Sequence, residues 1–385
     1  MTGRQRILTA LDHREPDRVP FDLGSTHVTG IAARAYENLR DHLGLPERPT
    51  RLCDLLQQLA APEEDLLDPL GVDTRGLYPL CGHNLPLPVG SEAYEAAHAR
   101  TDRGLEYVDE WGFRQLMPPD GLYYTIIESP LPGMDATVGQ IEALPLPDGG
   151  EPWRIEGLAE QAKGFREAGY AVVCKSPCAG LVEMGQRVRG MENFLVDLLA
   201  NPAVAEAVLD RFLQIKLNFW SAVLGELGGL IDVVFEMDDY GTQHSQLVSP
   251  EVFRQLVKPR LATLIGHIHK LAPRAKVAFH SCGSVRPILP DFIEVGIDVL
   301  NPVHVTAEGM EPAALKRDFG DDLCFWGGGV EMQSVLPRGA PEEVREDVGR
   351  NVEALAPGGG WVFATVHDIQ ADVPAENIVA MWETL

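Results

Sequence analysis

From about residue 151 onward, short apolar runs alternate with stretches of helical periodicity: AVVCKSP, LIDVVFEMDD, AKVAFHSC, GIDVLNPVH, DLCFWGGG and GGWVFATVH. Runs rich in β-branched and aromatic residues, joined by helices, specify parallel strands, because parallel neighbours need a long crossover rather than a tight turn. Two earlier runs, RVPFDLG at Arg18–Gly24 and GVDTRGLYPL at Gly71–Leu80, complete a set of eight. The expectation is an α/β fold: a single eight-stranded parallel (TIM-type) β/α barrel over residues 1–385.

The connecting segments carry their own punctuation. Thr2 precedes an apolar spacing at Ile7, Leu8 and Leu11 that Pro16 stops, and Ser249-Pro250-Glu251 reads as an N-cap, first-turn proline and acidic first turn. Pro202–Leu227 has the spacing of a long amphipathic helix, and residues 31–44 and Leu52–Leu59 also read as helical. Between about 81 and 135 the pattern changes to short alternating pieces broken by Gly, Pro and Asp, predicting a small antiparallel excursion on the barrel. No internal repeat or flexible linker divides the chain.

Composition narrows the partners. Lys and Arg number 32 against 57 Asp and Glu, a net charge of -25, which argues against nucleic acid and against an anionic membrane surface. No apolar stretch reaches the length of a membrane span, the first residues lack the apolar core of a signal peptide, and the chain is expected in the cytoplasm. The six cysteines are too sparse for a disulfide framework, and five are expected to be buried packing residues.

Three of the strand runs end in polar clusters: EMDDYG at Glu236–Gly241, HSCG at His280–Gly283 and TVHDIQ at Thr365–Gln370. In a parallel barrel all three emerge on the C-terminal rim, where such barrels carry their chemistry. His280 and Cys282 stand two residues apart, on one face of an extended strand end, and His367 comes from the last strand. Imidazole, thiolate and imidazole with an open fourth position form the donor set of a catalytic zinc. Alternation puts Glu236 and Asp238 on one face and Asp239 on the other; any of the three could complete the zinc shell, orient a ligand imidazole or act as general acid, with a solvated loop as the plain alternative. Gly327, Gly328 and Gly329 in FWGGGV would let an extended ligand or planar cofactor approach the backbone. His304 is a further rim residue, His244 reads as surface, Cys174 as core, and Lys175 is an unusual charge inside an apolar strand, expected to pair with an acid.

RILTALDHREPDRVPF near the start, VRGMENFLVDLLANP at Val188–Pro202, HSCG, and DVPAENIVAM at Asp372–Met381 resemble, in order, stretches of the uroporphyrinogen decarboxylase superfamily. The resemblance covers essentially the whole chain and implies one barrel with a cleft at its C-terminal rim. Porphyrinogen decarboxylases carry an arginine-rich segment after the first strand; this chain has LGSTHVTG at Leu23–Gly30, which argues against that substrate. The cobalamin-dependent methyltransferase branch carries a zinc site of HxC and a late cysteine. His280 and Cys282 match the first two ligands, and His367 stands where the late cysteine is expected, counted back from Asn377. Imidazole in place of a thiolate leaves a harder, more Lewis-acidic zinc, suited to polarising an ether oxygen. The resemblance therefore implies an O-demethylating methyltransferase that passes a methyl group from a methoxy compound to a corrinoid (cobalamin) on a separate partner protein, with Glu236 or Asp239 as a fourth ligand displaced by substrate or as the catalytic acid that protonates the departing oxygen. Its rivals are a thiol-methylating enzyme of the same branch and a metal-independent lyase. A homodimer is left open.

Overall fold

The computed structural model describes residues 1–81 and 98–385. Seven strands form one curled parallel sheet: β1 (Thr74–Leu77), β2 (Ala171–Lys175), β3 (Val233–Met237), β4 (Lys276–His280), β5 (Val299–Asn301), β6 (Cys324–Trp326) and β7 (Trp361–Val362). Each pairs with its neighbours in chain order, as expected for repeated βα units that advance in one direction. Alternate residues fill the inside of the curl: Ala171 and Val173, Val233, Phe235 and Met237, Ala278, Val299, Trp326 and Val362. The intervening residues, such as Val172, Val234, Val277 and Phe325, pack outward against the helices.

The run predicted as the first strand is not a ladder. Phe21 makes one parallel bridge with Phe363, supported by Asp22 N–H donating to the Phe363 carbonyl and Phe363 N–H to that of Pro20. On its other side the Phe21 carbonyl accepts from Asp73 N–H. Pro20 has no N–H to offer and Gly24 turns away at φ 77°, so pairing stops after one residue.

The opening helix is Gly3–Leu11, held by a capping box between Thr2 and Gln5. Pro202–Leu227 is helical over all 26 residues, and Ala33–His42 is helical as read. Ser249 accepts from Val252 N–H and starts a helix whose second turn widens into a π-type segment at Phe253–Val257. Leu52–Leu59 overturns expectation: it is a small hairpin, with Leu52 opposite Ala60. Asp54 accepts from Gln57 N–H, and Gln58 adopts φ 55°, so the local side-chain bond captures the turn that helix would have needed.

The predicted excursion contains a four-stranded antiparallel meander, Ala99–Thr101, Gly104–Val108, Arg114–Met117 and Thr125–Glu128; its part at 82–97 lies outside the described residues. Five cysteines are buried and only Cys282 is partly open, matching the packing expectation. Among the described residues no helix is long and apolar enough to cross a membrane.

Candidate metal centre

His280 closes β4, in register with Met237 on one side and Asn301 on the other. The chain then crosses the loop that follows β3 at very short range. A Cβ on Gly241 would stand 2.5 Å from the Cys282 carbonyl oxygen, and one on Gly283 would stand 2.5 Å from the Gly241 carbonyl carbon. Gly283 also needs its φ of 85°. Only glycines permit this crossing, and it delivers Cys282 beside Asp239, whose Oδ1 accepts from Cys282 N–H at 2.8 Å.

His280 Nε2, Cys282 Sγ and a ring nitrogen of His367 can all lie within 4.8 Å of one another. Partners fix which nitrogens face inward. Asn301 Nδ2 donates to the Trp326 carbonyl at 2.9 Å, so its Oδ1 accepts from His280 Nδ1 at 2.6 Å and leaves the Nε2 lone pair facing the Cys282 thiol, with Sγ 3.4 Å away. His367 Nδ1 is held by Asp368, a fully buried carboxylate that also takes 2.6 Å from Gln370 Nε2. Carboxylate or amide backing of a ring nitrogen is the arrangement that orients a metal-binding imidazole.

Burial, and then the nearby His367, push the His280 pKa down to about 3, so its ring is neutral. Burial raises the Cys282 thiol well above its ordinary range, with Asp239 adding to the shift. Burial also lowers His367, but the Asp368 carboxylate outweighs it and the net shift is upward. A neutral imidazole and a thiol that only a bound cation would ionise fit a soft-to-borderline ion such as zinc. Asp239 Oδ1, 3.7 Å from His280 Nε2, is the next oxygen outward.

His280 and His367 open onto a cleft of about 470 Å³. Asp239, Lys175, Glu183 and Arg187 line it with them, Glu183 close enough to act on all three candidate ligands, while Gln115 and Tyr123–Ile126 of the antiparallel meander supply further lining. The helix Leu181–Arg189, which carries Glu183 and Arg187, is capped by Asp238: its two oxygens accept from Val182 and Glu183 N–H at 2.8 and 2.9 Å.

The family model described as uroporphyrinogen decarboxylase (URO-D) matches residues 137–385, well over half of the chain. The chain belongs to the uroporphyrinogen decarboxylase family. A methyltransferase from Methanosarcina mazei shares its fold, with TM-score 0.66 and 18% identity over 100% of this chain and 98% of that one. A xylanase XynB from Paenibacillus barcinonensis overlaps 55% of this chain and 69% of its own, at 13% identity and TM-score 0.33, too low to inform the site. No curated protein matches the sequence closely enough to count as a relative.

Within this uroporphyrinogen decarboxylase family member, the sequence expectations separate. His280, Cys282 and His367 come together, and Asp239 joins them. Glu236 does not: it points away from the cleft into the helix layer, where Lys216 Nζ and Trp220 Nε1 bind its two oxygens at 2.6 and 2.5 Å. The strand's own alternation sends it outward with Asp238, which becomes a helix cap instead of a rim acid. The glycines at 327–329 present no open backbone. A Cβ at Gly327 would meet the Thr365 carbonyl at 2.8 Å, at Gly328 the Val303 side chain at 2.6 Å, and at Gly329 the Phe363 ring at 2.3 Å. Their smallness serves internal packing, and no cofactor surface is exposed there. His304 accepts from Gly283 N–H through Nδ1 and so braces the ligand loop. Asn301 and Asp368 were overlooked; each sits one strand end over from, or next to, a candidate ligand, which is the signal that would have found them.

Proposed function

We propose that the protein is a zinc-dependent methyltransferase of the corrinoid-dependent branch of its family, taking a methyl group from an O-methyl small molecule to the cobalamin of a separate corrinoid protein. The observation that carries this reading is the convergence of His280, Cys282 and His367 at the inner end of a cleft large enough for a small organic substrate. Zinc held there would supply Lewis acidity toward an ether oxygen, and the imidazole of His367 in place of a thiolate favours that harder character.

The residues around it divide the remaining work. Asn301 and Asp368 hold the two rings so that their free nitrogens converge. Asp239, its Oδ1 tied by Cys282 N–H and its side chain 44% exposed, stands where it would relay a proton from solvent to the ether oxygen as the methyl group leaves. The cleft walls hold the rest of the substrate so that the methyl carbon faces the rim, where the corrinoid partner docks. The same reading takes the Phe21 bridge as the eighth stave of a closed, single-domain barrel working in the cytoplasm.

Metal analysis of the wild type beside His367→Ala tests the site, and methyl transfer from methoxy compounds to a reduced corrinoid protein tests the reaction. The expected results are one zinc per chain, lost in the variant, and methylated corrinoid as product. Absence of zinc from the wild type, or unchanged affinity in the variant, sinks the metal assignment; transfer from methyl-corrinoid to a thiol instead points to the thiol-methylating alternative.

A further inference from the structure

Two lysines are buried near this cleft, and they differ in one respect. Lys216 Nζ is fully coordinated, by Glu236 and Ser176 at 2.6 Å each and by the Cys178 carbonyl at 3.4 Å. Lys175, the last residue of β2, turns inward with Ala171 and Val173 and is only 2% exposed. Among the described residues its ammonium has no hydrogen bond and no ion pair; it lies 5.4 Å from the centroid of the Tyr78 ring, and its charge acts on the buried thiols of Cys53 and Cys174. That ring is itself fixed, by its hydroxyl donating to the Gly24 carbonyl at 2.7 Å.

Lys175 lines the cleft. The carboxylates that also reach the cleft are committed elsewhere: Asp54 to Gln57 N–H, Glu183 to Arg187, and Asp239 to Cys282 N–H. A buried cation without a counter-charge is strongly unfavourable, and a cation–π contact offsets only part of that. Among the described residues, the cleft therefore holds a positive charge without a counter-charge together with the candidate ligand imidazoles.

We propose that Lys175 binds a carboxylate of the methyl donor, so that the substrates of this site are methyl ethers of carboxylic acids. The inference rests on the function proposed above and names its substrate class. One ammonium matches a monoanion, whereas three carboxylates on the same cleft oppose a phosphate dianion. The substrate's negative end would seat on Lys175 and its methoxy end would lie toward His280 and His367. Lys175 thus selects and orients the substrate and takes no part in moving the methyl group.

Calorimetric titration of the full chain with 3-methoxybenzoate and with its neutral amide, 3-methoxybenzamide, tests this, using both zinc-loaded and metal-free protein. The acid is expected to bind the wild type at least about tenfold more tightly than the amide, the scale of one charge-assisted hydrogen bond. Lys175→Met should abolish that preference and Lys175→Arg should recover part of it. Equal binding of acid and amide, no binding of either, or a preference that survives in Lys175→Met overturns the proposal. Stronger binding of 3-methoxyphenyl phosphate than of the acid would overturn the carboxylate assignment. Should Lys175→Met fail to fold, the wild-type ratio and the Lys175→Arg variant still decide. Binding to metal-free protein does not depend on methyl transfer, so an acid preference without turnover would count against the proposed reaction while leaving the anion site standing.

Discussion

The two ends of the strands treat charge in opposite ways. At the N-terminal ends one device is repeated: an aspartate just before a strand accepts from the backbone N–H of the element beside it. Asp73 takes Phe21 N–H at 3.0 Å, Asp232 takes Val172 N–H at 3.1 Å, and Asp298 takes Val277 N–H at 2.8 Å. Arginines then close two of the three, Arg6 and Arg18 on Asp73 and Arg4 on Asp232. At the C-terminal ends, His280, Cys282, His367, Asp239 and Lys175 are gathered around an open cleft, and among the described residues Lys175 has no ion pair. A closed set of bonds at one end holds the sheet together, and an open set at the other leaves room for the proposed ion and substrate.

The contrast can be broken by substitution. The largest expected effect is from Asp73→Ala, which strips Arg6 and Arg18 of their buried partner: a loss of about 3–5 kcal/mol in denaturant unfolding with zinc content per folded chain unchanged. A normal unfolding midpoint would show that this end is no clamp. Lys216→Met should cost a similar amount, about 3–5 kcal/mol, because it isolates the Glu236 carboxylate; if it instead removed activity at full stability, Glu236 would belong to the site after all. Asp239→Asn should leave stability within about 0.5 kcal/mol while slowing methyl transfer by about 10²–10⁴-fold in single-turnover kinetics. Asp368→Asn should weaken zinc binding by about 10–100-fold in a competition assay with a chelator, and an unchanged affinity would detach Asp368 from the ligand set. The smallest is Thr2→Ala, which opens the capping box at the closed end for about 1 kcal/mol, visible as a shifted midpoint with no change in zinc or turnover.

How far these features were legible depended on range. Period-two alternation alone separated Asp239 from Glu236 and Asp238, and HSCG with His367 needed only the order of the strands. What stayed hidden was set by partners distant in sequence. Nothing near Glu236 announces that Lys216 and Trp220, on a helix some turns earlier, will claim it. Lys175 was expected to pair with an acid, yet among the described residues it has no ion pair and lies over an aromatic ring instead. The glycines at 327–329 look the same in sequence whether they admit a ligand or a neighbouring side chain; Val303 and Phe363 decide the matter from two other segments. Leu52–Leu59 has helical spacing, but Asp54 and Gln58 impose a turn that spacing cannot report.

The antiparallel meander has a consequence for how such a site can diversify. It contributes Gln115 and Tyr123–Ile126 to the cleft, but none of the donors that converge on the metal position. On the proposed function, part of the fit to the substrate is therefore written apart from the candidate ligands, while Lys175 on β2 keeps the remainder within the barrel. An exchange of the meander between relatives would then reshape the cleft in one step and leave the candidate ligands and Lys175 in place.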